Sequence, residues 1–218
     1  MKIFSLILII TAKTIQSQAD WKNQVNGNSK IAVQERKVSS FNKIATGGSL
    51  NIVISQGKQE SVTVTADENL QEYIVTEVKD NTLQIHVKEK SNISPTKIKV
   101  SVSCSQLNII EAGGSGDLET DGILRSDKLA ISQGGSGNFK MNLDLENLSV
   151  NKSGSGEFRL NGKADKFEIN SAGSGNVHAS GLKVNNCKIS MVGSGDIWLE
   201  KGTAVDLNKV GSGEIHYE

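Results

Sequence analysis

Six residues that recur at intervals of about twenty positions are the ones in this sequence best suited to bind a partner. Each lies between two apolar residues of an alternating segment, so all six are predicted to project outward as one stripe. Aromatic and Arg side chains are enriched where proteins bind partners. The alternative is a solvated face with one exposed aromatic residue, which is ordinary. The six residues are Glu119, Lys140, Arg159, His178, Trp198 and His216, and the last five are the predicted ligand-binding residues.

A second recurring set of residues raises the question of metal binding. It comprises Asp117, Asn138, Glu157, Asn176, Asp196 and Glu214. Calcium takes six or more oxygen ligands, and the neutral Asn residues separate most of these acids. Only Asp196 and Glu214 would be neighbours without an intervening Asn. These two are therefore the only candidate metal ligands, and the sequence predicts no cofactor.

Catalytic chemistry finds little support in the residue pattern. Cleavage of a polysaccharide needs two convergent carboxylates, whereas the acids here are isolated. The three histidines, His86, His178 and His216, lack the spacing of metal ligands. We therefore expect no enzyme activity. A carbohydrate-active protein that binds or cleaves polysaccharide is the alternative function, and a carrier of a small ligand would need a cavity.

The elements that must position these residues follow from a repeated tripeptide. Gly-Ser-Gly begins at Gly114, Gly135, Gly154, Gly173, Gly193 and Gly211, with offsets of 21, 19, 19, 20 and 18 residues. The apolar residues on either side recur with period two, which is typical of strands and excludes helices. One repeat cannot bury its own apolar face, whereas stacked repeats can. The sequence predicts an all-β, right-handed parallel β-helix, a solenoid with coils of roughly 19–20 residues.

The glycines are predicted to be structural corners of this solenoid. Glycine reaches positive φ without the steric penalty of a Cβ, and the serine between two glycines can satisfy local backbone groups. The corner glycines are Gly114, Gly116, Gly135, Gly137, Gly154, Gly156, Gly173, Gly175, Gly193, Gly195, Gly211 and Gly213. Three positions before each corner, a polar column is expected to hold the coils in register. It comprises Glu111, Ser132, Asn151, Asn170, Ser190 and Asn208.

The first half of the chain alternates without repeating. Segments 49–55, 61–66, 82–88 and 97–103 are predicted strands, and Asp67 is expected to cap one helical turn. We expect one domain over residues 38–218, with irregular strands at 38–106 and regular coils at 107–218. Residues 20–37 form an N-terminal segment or cap, or else terminal coils meet in a homo-oligomer. Cys104 and Cys187 lie in alternating strands and are predicted to be free buried thiols.

The N-terminal segment and the net charge indicate where the protein is located and which partners it can bind. Residues 1–19 combine Lys2, an apolar run over residues 3–10 and a polar end, which is typical of a signal peptide. Equal numbers of basic and acidic residues, 24 of each, give no electrostatic footprint for nucleic acid. No later segment is apolar enough to span a membrane after signal removal. We expect an exported protein in the periplasm, on the outer cell surface or secreted.

The order of these features resembles a known family. The segment "GGSLNIVISQGKQESVTVTADENLQEYIVTEVKDNTLQIHVK" (residues 47–88), followed by repeated "GSGD[IL]" corners, resembles the auto-transporter adhesin head GIN domain family of exported bacterial proteins, best known from Bacteroidetes. The resemblance implies a β-helical adhesin of the cell envelope without catalytic residues. The predicted function is thus a non-catalytic adhesin or a surface or periplasmic binding scaffold, whose ligand is a protein or glycan.

Overall fold

The computed structural model describes residues 24–218, which fold as a β-solenoid. The predicted signal peptide, residues 1–19, lies outside the described residues. The N-terminal elements are β1 (Val25–Asn26), β2 (Ile31–Arg36), β3 (Lys43–Gly48), β4 (Ile52–Gln56), β5 (Ser61–Asp67), a 3₁₀ helix (Glu68–Tyr73), β6 (Ile74–Lys79), β7 (Thr82–Val87), β8 (Ile93–Ser94) and β9 (Ile98–Cys104). The later strands are β10 (Ile109–Gly114), β11 (Leu118–Gly135), β12 (Phe139–Gly154), β13 (Phe158–Gly173), β14 (Val177–Gly193), β15 (Ile197–Leu199), β16 (Val205–Val210) and β17 (Ile215–Tyr217).

Successive coils lie over one another in parallel, as predicted. The order β10, β11, β12, β13, β14 follows the chain, and each strand pairs in register with the next. Alternate side chains fill the interior: Phe139 and Phe158 are at most 1% exposed and stack with ring centroids 4.6 Å apart. Strand pairing aligns equivalent positions of successive coils. Residues that recur at the repeat spacing therefore form columns of side chains along the axis of the solenoid.

The two glycines of each corner have different roles. Gly135, the first of its pair, has φ +135°, and the first glycine of every other corner also has positive φ. Gly137, the second, does not; a Cβ on it would instead overlap the carbonyl oxygen of Gly116 in the preceding coil. The expectation that both glycines supply the bend is therefore wrong for the second. It is needed for close backbone approach.

The corner serines bond differently from the expectation. The Ser115 hydroxyl lies 3.0 Å from the Ser49 hydroxyl, and the Ser174 hydroxyl donates to that of Ser155 at 3.4 Å. These partners belong to the neighbouring coil, because stacking places equivalent residues within reach. The serines link coils to one another instead of satisfying their own corner.

The regular stack begins inside the first half of the chain. Strand β3 pairs with β10 and β4 with the start of β11, so that Gly48 lies beside Gly114. The corner between β3 and β4 reads Gly48-Ser49-Leu50, in which Leu50 replaces the second glycine. Residues 57–106 then leave this coil and pair beside it through β7 and β9.

Antiparallel strands cover the N-terminal end of the stack. Strand β2 pairs with β5, which pairs with β9, and β6 pairs with β7. The Arg36 guanidinium fastens this layer by donating to the carbonyl oxygens of Ile74 and Gln71. Residues 31–36, which form β2, thus lie at the end of the solenoid on that side, where β2 pairs with the outer edge of β5.

Asp67 has a different role from the predicted helix cap. A six-residue 3₁₀ helix follows it, but the Asp67 side chain makes no capping hydrogen bond. The fully buried carboxylate accepts from the Thr96 hydroxyl at 2.6 Å and from the backbone N–H groups of Thr96 and Ser29, both at 2.8 Å. The Thr96 hydroxyl is the main cause that lowers the pKa of Asp67, since its hydrogen bond favours the charged form. Asp67 joins three segments of the N-terminal region.

Both cysteines are free and buried, as predicted. Burial raises the pKa of Cys104 and of Cys187 to about 11, because an apolar surrounding disfavours the thiolate. None of the helices in residues 24–218 is long and apolar enough to cross a membrane.

Candidate binding surfaces

The predicted stripe is aligned along the solenoid. Strand pairing places Glu119 beside Lys140, and then in turn Arg159, His178, Trp198 and His216, each one coil further on. We call these six residues the outward stripe. Lys140 and Arg159 are exposed, whereas the three rings are partly buried. The stripe therefore changes along its length from exposed charged side chains to partly buried aromatic ones.

The rings of the stripe stack on one another. The His178 and Trp198 centroids are 4.3 Å apart with an interplanar angle of 16°, and those of Trp198 and His216 are 4.9 Å apart at 22°. Both faces of the indole are therefore covered by imidazoles. A ligand would meet the edges of these rings, which carry N–H groups, and not an open face on which a sugar could stack.

Close polar contacts connect the outward stripe to the neighbouring column of acids. Glu157 Oε1 lies 2.9 Å from an Arg159 nitrogen and 2.7 Å from His178 Nε2. His216 Nε2 lies 3.8 Å from Asp196 Oδ2. About a third or more of each of these side chains is exposed, so the pairs position the side chains more than they stabilise the fold.

A depression lies beside the N-terminal end of the outward stripe. It has a volume of about 530 Å³. Lys140 and Arg159 line it together with Lys99 from β9 and Lys97, which immediately precedes β9. Its acidic side chains are Asp117, Glu119 and Glu157. Sequence analysis missed Lys97 and Lys99, because nothing in the repeat indicates that β9 lies alongside.

The proposed metal ligands take part in a ladder of hydrogen bonds. Asp196 Oδ1 accepts from the backbone N–H of Glu214 at 2.8 Å, and the backbone N–H of Asp196 donates to Asn176 Oδ1 at 2.9 Å. Asp117 and Asn138 continue the pattern. Within residues 24–218 no group of three or more His, Cys, Asp or Glu side chains is placed to hold a metal ion. This column therefore has a structural role, because its hydrogen bonds join successive coils.

The polar column before the corners is aligned as predicted. Pairing joins Glu111, Ser132, Asn151, Asn170, Ser190 and Asn208 in that order. Asn170 Nδ2 donates to Asn151 Oδ1 at 3.0 Å. Stacked amides of this kind stabilise in-register pairing.

A column of polar residues inside the solenoid escaped sequence analysis. Gln133, Lys152 and Ser171 lie beneath successive corners and are buried. Lys152 Nζ donates to the carbonyl oxygens of Gly175 at 2.9 Å and Gly154 at 3.3 Å, and burial lowers the pKa of Lys152. The sequence did indicate that Lys152 faces inward, because it lies two residues after the inward-facing Val150 and alternate residues of a strand face the same side.

A long groove runs along another side of the stack. It has a volume of about 1120 Å³ and extends from Lys43 in β3 to Asp206 in β16, across the strands. We call it the axial groove. Its floor includes Ile109, Ala130 and Ser149, which have short or apolar side chains. Sequence analysis missed this surface, because a concave bend of the backbone leaves no mark in the residue pattern.

These features define the class of protein: a β-solenoid with glycine corners, a filled interior and ordered columns of outward side chains. Residues 40–218 match the family described as "Putative auto-transporter adhesin, head GIN domain", and the chain belongs to this family. The predicted family is thereby confirmed.

Several solved bacterial proteins have the same fold. A putative adhesin of Bacteroides fragilis NCTC 9343 is 27% identical, with a TM-score of 0.79 over 89% of this chain and 100% of that one. A putative lipid binding protein of Parabacteroides distasonis ATCC 8503 is 28% identical, with a TM-score of 0.75 over 89% of this chain and 92% of that one. A putative adhesin of the latter strain, 24% identical with a TM-score of 0.67 over 90% and 100%, shares the fold. No curated protein matches the sequence.

Proposed function

We propose that this protein is an exported, non-catalytic binding module, an adhesin or a scaffold at the cell surface or in the periplasm. On this proposal the outward stripe holds a protein or glycan ligand. The observation that carries it is the continuous register from Lys140 and Arg159 to Trp198, which places cationic groups beside ring edges on a rigid backbone. A preorganised row of this kind loses little side-chain freedom on binding.

Export is supported by the character of the N-terminus and by the family. The apolar run over residues 3–10 has the length of a signal-peptide core. The adhesin description of the family and of the Bacteroides fragilis relative also suits a protein that works outside the cytoplasm. Mass spectrometry of the protein purified from its native host should find a mature N-terminus near Asp20.

The carboxylates beside the outward stripe favour binding over catalysis. Asp117 Oδ1 accepts two hydrogen bonds from Asn138, at 2.8 and 3.1 Å. Glu157 Oε1 is held by Arg159 and His178. A glycosidase needs one carboxyl group that keeps its proton and a partner placed across the scissile bond, whereas these carboxylates are acceptors in fixed pairs.

Lipid carriage, suggested by the name of the Parabacteroides distasonis relative, finds less support in this chain. The interior that could enclose an acyl chain is filled by Phe139, Phe158, Val177 and Ile197, each at most 1% exposed. A lipid would therefore have to lie on the outer surface. The binding experiment below includes phospholipid vesicles for this reason.

The test is an array of glycans, matrix proteins and phosphatidylcholine vesicles probed with the purified mature chain, with the size of each glycan checked afterwards. For the ligand found, Arg159→Ala and Trp198→Ala should each weaken binding about tenfold, the loss of one well-placed polar or aromatic contact. Arg125→Ala is the matched control, because Arg125 is an exposed arginine of another column, 3.6 Å from Asp144. Unchanged affinity in both stripe variants, or shortening of the glycan, would contradict the proposal.

A further inference from the structure

The axial groove carries an alternation of side chains that the proposed function does not use. Along the successive strands β3, β10, β11, β12, β13 and β14, the groove is lined in turn by Lys43, Asn108, Lys128, Asn147, Lys166 and Asn186, of which Asn108 immediately precedes β10. The last four are in direct register, and Lys43 and Asn108 lie two and one positions further along their strands. An ammonium group and an amide therefore alternate from coil to coil.

The strand spacing fixes the distance between like groups. Neighbouring strands lie about 4.8 Å apart, so lysines on every second coil recur at about 10 Å along the groove. Lys43, Lys128 and Lys166 form such a row, with Asn108 and Asn147 between them. The short side chains of the floor leave room beside the row, so an extended polymer could lie along the axis of the stack.

The acidic residues that adjoin the groove residues in sequence lie on a different surface. Asp127, Glu146 and Asp165 each immediately precede a groove residue, yet they line a separate depression together with Arg125 and Lys163. The acidic residues that line the groove itself are Glu168 and Asp206, towards its C-terminal end. Glu168 is 4.0 Å from Lys188. From Lys43 to Lys166 the wall is therefore cationic.

We propose that the axial groove binds a linear anionic glycan that bears one carboxylate or sulfate per disaccharide. The two-coil repeat is close to the length of a disaccharide in an extended glycan. Each lysine pairs with the charged sugar, and each Asn, which both donates and accepts, bonds the hydroxyl groups of the neutral sugar between. Ile109 and Ala130 contact the C–H surfaces of the rings. This site is distinct from the outward stripe.

Titration calorimetry on the full mature chain tests the groove with two probes, a hyaluronan decasaccharide and neutral cellohexaose. Hyaluronan, with one carboxylate per disaccharide, should bind and should weaken as NaCl is raised, because salt screens exposed charges. Cellohexaose should bind at least tenfold more weakly. The double variant Lys128→Gln/Lys166→Gln should lose at least tenfold in affinity for hyaluronan. Ala130→Trp, which fills the floor without changing charge, should also weaken binding.

The matched control is Lys163→Gln/Lys183→Gln. It removes the same two charges from an aligned pair of exposed lysines outside the groove. The proposal is overturned if hyaluronan does not bind, if cellohexaose binds equally well, or if control and groove variants lose affinity equally. Since the groove variants leave Arg159 and Trp198 intact, failure here leaves the proposed function of the outward stripe standing, and the reverse holds as well.

Discussion

The α-carbon of Gly137 faces the carbonyl oxygen of Gly116 in the preceding coil so closely that a Cβ on Gly137 would overlap that oxygen. The same relationship joins Gly156 to Gly137. Close stacking of the corners thus requires glycine at the second glycine position of each Gly-Ser-Gly corner, because there is no room for a side chain there, whatever the φ angle. Backbone hydrogen bonds between successive corners accompany this closeness: both Ser136 and Gly137 donate to the carbonyl oxygen of Gly114 in the preceding corner, at 2.9 and 3.3 Å.

Gly137→Ala should therefore destabilise the fold. The added methyl group meets backbone, which cannot rotate away, so we expect a loss of about 2–4 kcal/mol in the free energy of unfolding. Urea denaturation followed by circular dichroism measures it. Gly134→Ala is the control, because a Cβ there meets no atom within 4 Å. Equal stability of the two variants would show that close approach does not explain the second glycine.

Asp67 should give the N-terminal region an acid-sensitive stability. Its pKa is lowered in the folded state, so its contribution is complete above the unfolded pKa of about 3.9 and is lost as pH falls through the folded value. Asp67→Asn should lower Tm at pH 7 and flatten the dependence of Tm on pH in the acid range. A wild-type acid transition retained in Asp67→Asn would assign it to another carboxylate.

The two buried thiols should make stability fall at alkaline pH. Their pKa of about 11 in the folded state exceeds the ordinary value of 9.0, so the unfolded state loses protons first and gains stability between pH 9 and 11. Across that window the loss is about 2 kcal/mol per thiol. Cys104→Ala/Cys187→Ala should show a shallower decline in urea denaturation between pH 8 and 10. An identical slope would contradict the prediction.

Lys152 should be replaceable by a residue that fills its place without a charge. Met191 already occupies the same inward column two coils further on. Lys152→Met should change the free energy of unfolding by less than about 1.5 kcal/mol, since it also relieves the burial of an ammonium group. Lys152→Ala should cost about 2–4 kcal/mol, because it removes the same hydrogen-bond donor as Lys152→Met and in addition leaves a cavity. Thermal denaturation of both variants distinguishes packing from hydrogen bonding.

The sequence by itself determined the columns of the solenoid. Parallel, in-register stacking converts a period of about twenty residues into vertical alignment. The pattern therefore sufficed to predict that Trp198 lies between His178 and His216 and that Asn170 lies beside Asn151. The same pattern could not tell which way the rings turn. Their mutual stacking depends on side-chain torsions that only packing decides.

Only the tertiary structure decided what lies beside the repeat. Lys97 and Lys99 border the outward stripe because β9 pairs with β4, and Lys43 joins the axial groove because β3 pairs with β10. Both pairings join segments far apart in sequence, and no local period records them. The repeat specifies its own stacking because each coil resembles the next, whereas the partners of a segment that does not repeat are selected by the burial of its apolar face against the whole stack.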